Sequence, residues 1–458
     1  MNPTDLQLSS SPPGSPAAAG SVREVLNLAY PVILTQISVT LMQLVDSAMV
    51  GRLGASELGA VGLGGIWTWT AFSLFIGLST AVQTFVSQAH GAGMPRSTGN
   101  WVWQGLYTVV PVAALMALII FFGVPVLIQW VGPSEAIRPL ATDYVQARSL
   151  GAVGIVMAMV LTSFFRGLGD TRTPLYCTIV ANLFNAVLDY GLIFGELGLP
   201  KWGVGGAGIA TSASEWILFV VLAGFFARRS IREAFDTRLR APDSSRIVRL
   251  LRTGLPIGGQ WCLEMGSFAV FTAIIVRMGD HAMATSQAVI VLMSISFMQA
   301  IGISIAVATL VGRYIGSGDL DAAQRSFWSG IRLALLLGGL IAVVFLAFPG
   351  PLIRIFTSDA EILELGMPLL LVAAAFQIFD ALGIVSDGAL RGAGDTLWPF
   401  VVRFFLAWGI QVPLAYTLGI TLGAGLTGAW IGSMVYIAVL SSILVGRFRS
   451  GRWKLIQI

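Results

Sequence analysis

The chain has 458 residues, of which 56% are hydrophobic and only 11% charged, with a formal net charge of +4 and two cysteines. A soluble domain carries roughly 25% charged residues, so this surface is built to face lipid and is not the footprint of a nucleic-acid binder. Cys177 and Cys262 lie in apolar runs without metal-ligand spacing and read as small core residues.

Residues 1–22, rich in Ser, Pro and Ala, cannot build a core and are expected to form a disordered tail. The apolar run from Val25 is too long for a cleavable signal. A membrane helix needs about 20 mostly apolar residues. Twelve such segments can be drawn, near 24–51, 60–87, 101–128, 138–165, 174–195, 207–228, 250–277, 285–312, 326–350, 362–389, 399–421 and 427–447. All should be helices, because lipid offers the backbone no hydrogen-bond partner. The expected division is a first lobe at 23–228, a charged linker at 229–249, a second lobe at 250–448 and a tail at 449–458.

The lobes are copies. Arg166-Gly-Leu-Gly-Asp-Thr-Arg-Thr-Pro174 returns as Arg391-Gly-Ala-Gly-Asp-Thr-Leu-Trp-Pro399, an offset of 391 − 166 = 225. At the same offset Pro31 falls on Pro256, Gly54 on Gly279, Gly77 on Gly302 and Trp103-x-Gly105 on Trp328-x-Gly330. The chain is therefore a duplicated unit. Of its 27 Lys and Arg, twenty fall on one side if the N-terminus is cytoplasmic, five on the other, and Arg148 and Arg403 within spans. This bias places both termini and the linker inside. With six helices per copy the repeats are parallel, an architecture of transporters that alternate access to a central site.

The repeated Arg-Gly-x-Gly-Asp-Thr element falls at the cytoplasmic turn between the fourth and fifth helices, where Gly permits positive φ and Asp or Thr can cap the next helix. It reads first as a frame element, with a gate latch through Arg166 and Asp170 as the functional alternative. Carboxylates inside spans are expensive and mark function. They are Asp46, Asp189, Glu264, Asp380 and Asp387. Asn182, Asn185 and Asp189 share one helical face, and Gln43 stands one turn before Asp46. Together they can form a polar nest in which two carboxyl groups share a proton; the same oxygen ligands would suit Na+. In the second lobe Gln260 shares a face with Glu264, and Gln377 with Asp380 and Asp387, whereas the repeat partners of Asp46 and Asp189 are Phe271 and Leu414. Arg148 and Arg403 are expected to snorkel or to neutralise a carboxylate. Gln43, Gln260 and Gln377 are weak substrate-binding candidates. The only histidines, His90 and His281, fall on opposite sides of the membrane and read as loop residues, so no His pair for an intramembrane enzyme can form.

Pro31, Val45-Asp46-Ser-Ala-Met-Val-Gly-Arg-Leu-Gly54, Phe165 to Pro174, Asn182-Leu-Phe-Asn-Ala-Val-Leu-Asp189-Tyr-Gly-Leu-Ile-Phe-Gly195 and Gly388 to Thr396 resemble the multidrug and toxic compound extrusion (MATE) family, its DinF-like branch most of all. The resemblance covers residues 23–448 and implies an all-α membrane protein of twelve transmembrane helices in two six-helix lobes. It implies a monomeric antiporter, without cofactor, that exports organic cations or amphiphiles across the plasma membrane. The implied cation-coupling residues are Asp46, Asn185, Asp189 and Thr211, with Glu264 and Asp380 as acidic positions of the second lobe. The coupling ion is expected to be H+ rather than Na+. A lipid-linked precursor flippase of the same superfamily is the alternative; such proteins tend to have further helices and a basic cavity.

Overall fold

A computed structural model describes residues 18–456. Among them the regular structure is helical throughout. The helices are α1 (Val22–Gly51), α2 (Ala55–Gly91), α3 (Pro95–Val131), α4 (Ile137–Ser149), α5 (Ala152–Leu168), α6 (Arg172–Phe194), α7 (Gly203–Phe226), α8 (Arg229–Phe235) and α9 (Ser244–Val276). After them come α10 (Asp280–Gly316), α11 (Leu320–Ala347), α12 (Pro349–Arg354), α13 (Ala360–Gly392), α14 (Leu397–Leu406), α15 (Val412–Tyr416) and α16 (Gly425–Arg449). Eleven stretches are long and apolar enough to span a bilayer, and α4 with α5 makes a twelfth, bent by 46°. The expected single helix over 138–165 is thus broken. The eleventh span, Leu397–Thr421, joins α14 to α15 through a wide π-helical turn at Ala407–Gln411 and ends after α15 in a second one at Thr417–Thr421.

Of the expected N-terminal tail, residues 1–17 lie outside the described residues. Ala19 and Gly20 are held by their carbonyls, which accept from Arg325 Nε at 3.0 Å and Ser329 Oγ at 2.6 Å. The linker carries α8 and then lies along α3. Gln104 Nε2 donates to Ala241 O at 3.0 Å, Gln104 Oε1 accepts from Asp243 N at 2.8 Å, and Trp103 Nε1 donates to Thr237 O at 3.1 Å.

Two compact units are present. One is Leu34–Gly258; the other takes the described residues up to Ile33 and those from Gly259 onward. Both divisions fall inside a helix, after Ile33 in α1 and after Gly258 in α9, positions that the internal repeat makes equivalent (258 − 33 = 225). Packing within the units repeats as well. A Cβ on Gly105 would lie 2.7 Å from Val82 and 3.3 Å from Val160; on Gly330 it would lie 2.3 Å from Val307 and 3.2 Å from Val385. All three pairs keep the offset of the repeat, so two glycines of one ancestral position admit the same two valines. The repeated turn keeps its backbone, with φ of +87° at Gly169 and +83° at Gly394. Cys177 is buried as expected of a core residue, whereas Cys262 is exposed and does not belong to the core. Neither histidine lies in a loop: His90 ends α2 beside the Phe235 ring, and His281 stands in the first turn of α10, 3.5 Å from Asp359 and from Glu361.

Candidate functional site

In the unit Leu34–Gly258, α1 carries Asp46 and α6 carries Asn185 and Asp189. The carboxyl groups of Asp46 and Asp189 meet within hydrogen-bonding reach. Asp189 is fully buried and Asn185 nearly so. Asn185 Nδ2 donates to Asp189 Oδ2 at 2.8 Å, while Asp189 Oδ1 and Asp46 Oδ1 are buried without a donor. Buried polar atoms are rarely left so, and two carboxyl groups that meet while each keeps a bare oxygen can hold a proton or a cation. Asn182 lies a turn away but is engaged elsewhere, donating from Nδ2 to Ser38 Oγ at 2.8 Å. Thr211 spends its hydroxyl hydrogen on Ala207 O of its own helix, at 2.9 Å. Gln43 is exposed.

Arg148 on α4 pairs with Glu215 on α7 at 2.8 Å, and both side chains are only 11% exposed. Glu215 escapes the sequence reading, although a carboxylate within the apolar run 207–228 is the same signal that singles out Asp189. Arg148 and Tyr144 face the dyad as well as Glu215.

The second unit is arranged differently. Arg403 Nη1 donates to Glu264 Oε1, and its Nη2 lies 3.9 Å from Asp387 Oδ2. Arg391, from the repeated turn, pairs with Asp387 and donates to Gln260 Oε1 at 2.9 Å. Gln260 is thereby committed to the turn, its Nε2 donating to Thr396 O at 3.3 Å. Asp380 lies beside Glu264 and Arg403. Gln377 is buried with neither amide atom partnered. Two arginines therefore answer three carboxylates here, while one arginine answers three in the first unit. The two copies of the turn also use their aspartates differently. Asp170 Oδ1 accepts from Thr173 N at 3.0 Å and caps α6, whereas Asp395 Oδ2 accepts from Arg447 Nε at 2.8 Å.

The pattern of one protein family, MatE, matches residues 31–191 and then matches again at 256–417. The chain belongs to the MatE family. The starts of the two matches, Pro31 and Pro256, are partners in the internal repeat. Among curated relatives, the probable multidrug resistance protein NorM of Thermotoga maritima is 31% identical over 94% of this chain and 93% of its own. Its counterpart in Xanthomonas axonopodis is 32% identical over 97% of each. The multidrug resistance protein MdtK of Yersinia pseudotuberculosis is 29% identical over 93% of this chain and 95% of its own. A solved structure described as an outward-facing multidrug resistance MATE family transporter superposes with a TM-score of 0.87 over 96% of this chain and 100% of its own, at 20% identity. At that identity the match shows the two-lobe MatE fold. The relatives carry NorM and MdtK names, whereas the motifs resemble the DinF-like branch.

Proposed function

We propose that this MatE protein is a plasma-membrane antiporter that exports organic cations and other amphiphiles in exchange for protons, with Asp46 and Asp189 as the coupling pair. The observation that carries the reading is the meeting of two carboxyl groups whose Oδ1 atoms have no donor. Such a pair takes up a proton when open to an acidic side and gives it up when open to the other. Asn185 holds one carboxyl group in place. The names of the NorM and MdtK relatives, both multidrug resistance proteins, support drug-like cargo.

A proton suits the donor set better than Na+. A sodium ion needs several oxygens converging on one point, yet Asn185 presents its NH2 to Asp189 and Thr211 points its hydroxyl at Ala207. Exchange of one proton for one monovalent cation moves no net charge, so the membrane potential cancels and the pH difference, worth about 1.4 kcal/mol per unit, drives the export. The buried cluster of the first unit, in which Asp46, Asp189 and Glu215 share Arg148, disfavours the flippase alternative, whose anionic lipid-linked cargo would call for basic residues.

The orientation with both termini inside rests on the arginine bias, above all on Arg228, Arg229, Arg232, Arg238 and Arg240 around α8. Reconstitution into vesicles with an imposed pH or Na+ gradient and ethidium as cargo tests the whole proposal. Export that follows the pH gradient and ignores Na+ is the expected result; export that follows Na+ alone would refute proton coupling.

A further inference from the structure

The break in the fourth span has a built cause. No proline stands between α4 and α5; Ser149 and Gly151 flank the break, and a kink without proline occurs at such residues or where a side chain takes the freed backbone atoms. Here α7 supplies the side chains. Ser212 Oγ donates to Ala147 O at 2.7 Å and Trp216 Nε1 donates to Leu150 O at 2.9 Å. Gly151, at the break, makes room for Glu215, since a Cβ there would lie 2.2 Å from Glu215 Oε2. Arg148, one residue before the end of α4, closes this clasp by pairing with Glu215 at 2.8 Å.

The clasp also faces the coupling pair. The groups around Arg148 are Glu215 from α7, Asp46 from α1 and Tyr144 one turn back on α4, and Asp189 from α6 interacts with it too. The neighbouring α2 has no charged residue between Glu57 and His90, and α3 has none after Arg96. One guanidinium thus serves three carboxyl groups while bonded to one of them. Arg148 Nη1 is buried without an acceptor and Glu215 Oε2 without a donor.

We infer that Arg148 is a positioning residue for ion coupling, dividing its charge between Glu215 and the Asp46–Asp189 pair and so tying the break in the fourth span to the proton on that pair. While the pair holds its proton, Arg148 stays on Glu215 and the clasp is closed. When the proton leaves to water, the new negative charge draws the guanidinium towards Asp46. Glu215 is released, and α4 and α5 are free to pivot at Leu150–Gly151. The inference rests on the reading of Asp46 and Asp189 as the coupling pair.

The test is the pH–rate profile of ethidium export by the full chain in vesicles. Glu215→Gln leaves the whole charge of Arg148 on the pair, which then releases its proton more readily, so the midpoint moves to lower pH by about one unit, the size expected of one charge at an effective dielectric near 20. Arg148→Gln leaves Glu215 bare beside the pair, and the midpoint moves to higher pH by about as much. The double variant removes both charges and returns the midpoint to that of the parent. A clasp with only a structural role lowers the rates of all three variants and moves no midpoint, and that result overturns the inference. If a single variant does not accumulate, Gly151→Ala replaces it: it crowds Glu215 Oε2 and, at 2.8 Å, Ser212 without changing a charge, and it moves the midpoint to lower pH, whereas a slower rate at the parent midpoint is contrary. Asp46→Asn separates the two levels. If gradient-driven export survives that change, the coupling-pair reading falls and takes this inference with it; if export is lost there while the Arg148 and Glu215 midpoints match the parent, this inference alone falls.

Discussion

Asn185 and Asp189 stand one turn apart on α6, joined by an amide-to-carboxyl hydrogen bond of 2.8 Å that leaves the other carboxyl oxygen bare. Hydrogen bonds to charged groups contribute about 1.5–3 kcal/mol. Asn185→Leu removes the donor and leaves Asp189 free to turn away from Asp46. Proton-driven ethidium export should fall about tenfold or more, the change in rate equivalent to ~1.4 kcal/mol, while the protein still inserts and folds. Initial rates in vesicles, compared at equal protein, check this.

Arg403 holds Glu264 and approaches Asp387, and its own side chain is 7% exposed. Glu264 is 36% exposed, so water screens part of the pair, and stranding its charge costs on the order of 1 kcal/mol. Arg403→Gln should therefore lower the thermal unfolding temperature in detergent clearly. Arg403→Gln combined with Glu264→Gln should recover most of the loss, since no bare charge then remains at Glu264. A double variant as unstable as the single would contradict the pairing.

The repeat predicts matched damage. Gly105→Ala and Gly330→Ala each drive a methyl against the equivalent valine, at 2.7 Å from Val82 and 2.3 Å from Val307. Overpacking of this kind costs about 1–3 kcal/mol. Gly123 and Gly339, in α3 and α11, have open space where a Cβ would go. Alanine at either should be neutral or slightly stabilising, because Gly weakens a helix interior by roughly 0.5–1 kcal/mol. Melting temperatures of the four variants test this directly.

Gln104 fixes the linker with both ends of its amide, and its side chain is fully buried. Gln104→Leu frees Ala241 O and Asp243 N and should expose the backbone near Arg238 and Arg240 to trypsin several-fold faster. Cleavage in inside-out vesicles but not in right-side-out ones would also support the proposed orientation.

Much of the fold can be read from the sequence because two periodic signals coincide there. Apolar runs mark the spans, and the constant offset between partners such as Arg166 and Arg391 marks the copies. The break at Leu150–Gly151 is only half legible: Ser149 and Gly151 weaken the helix locally, but the side chains that hold the bend, Ser212 and Trp216, lie on α7, far along the chain. The spacing of Asn185 and Asp189 on one face is legible from helical periodicity alone. That Asp46 reaches them depends on how α1 packs, and the partner of Arg148 depends on how α7 does. In the second unit sequence spacing suggests Gln260 as a substrate ligand, but its amide is committed to Arg391 and Thr396. A side chain's neighbours on its own helix are in the sequence; its commitments to other helices are not.

The central claim is that the Asp46–Asp189 pair couples proton entry to export, and Asp46→Asn and Asp189→Asn in vesicles test it most directly. Ethidium export driven by a pH gradient should fall to the level of protein-free vesicles in both variants, while downhill binding of ethidium persists. Export by either variant at the parent rate under the same gradient would contradict the account.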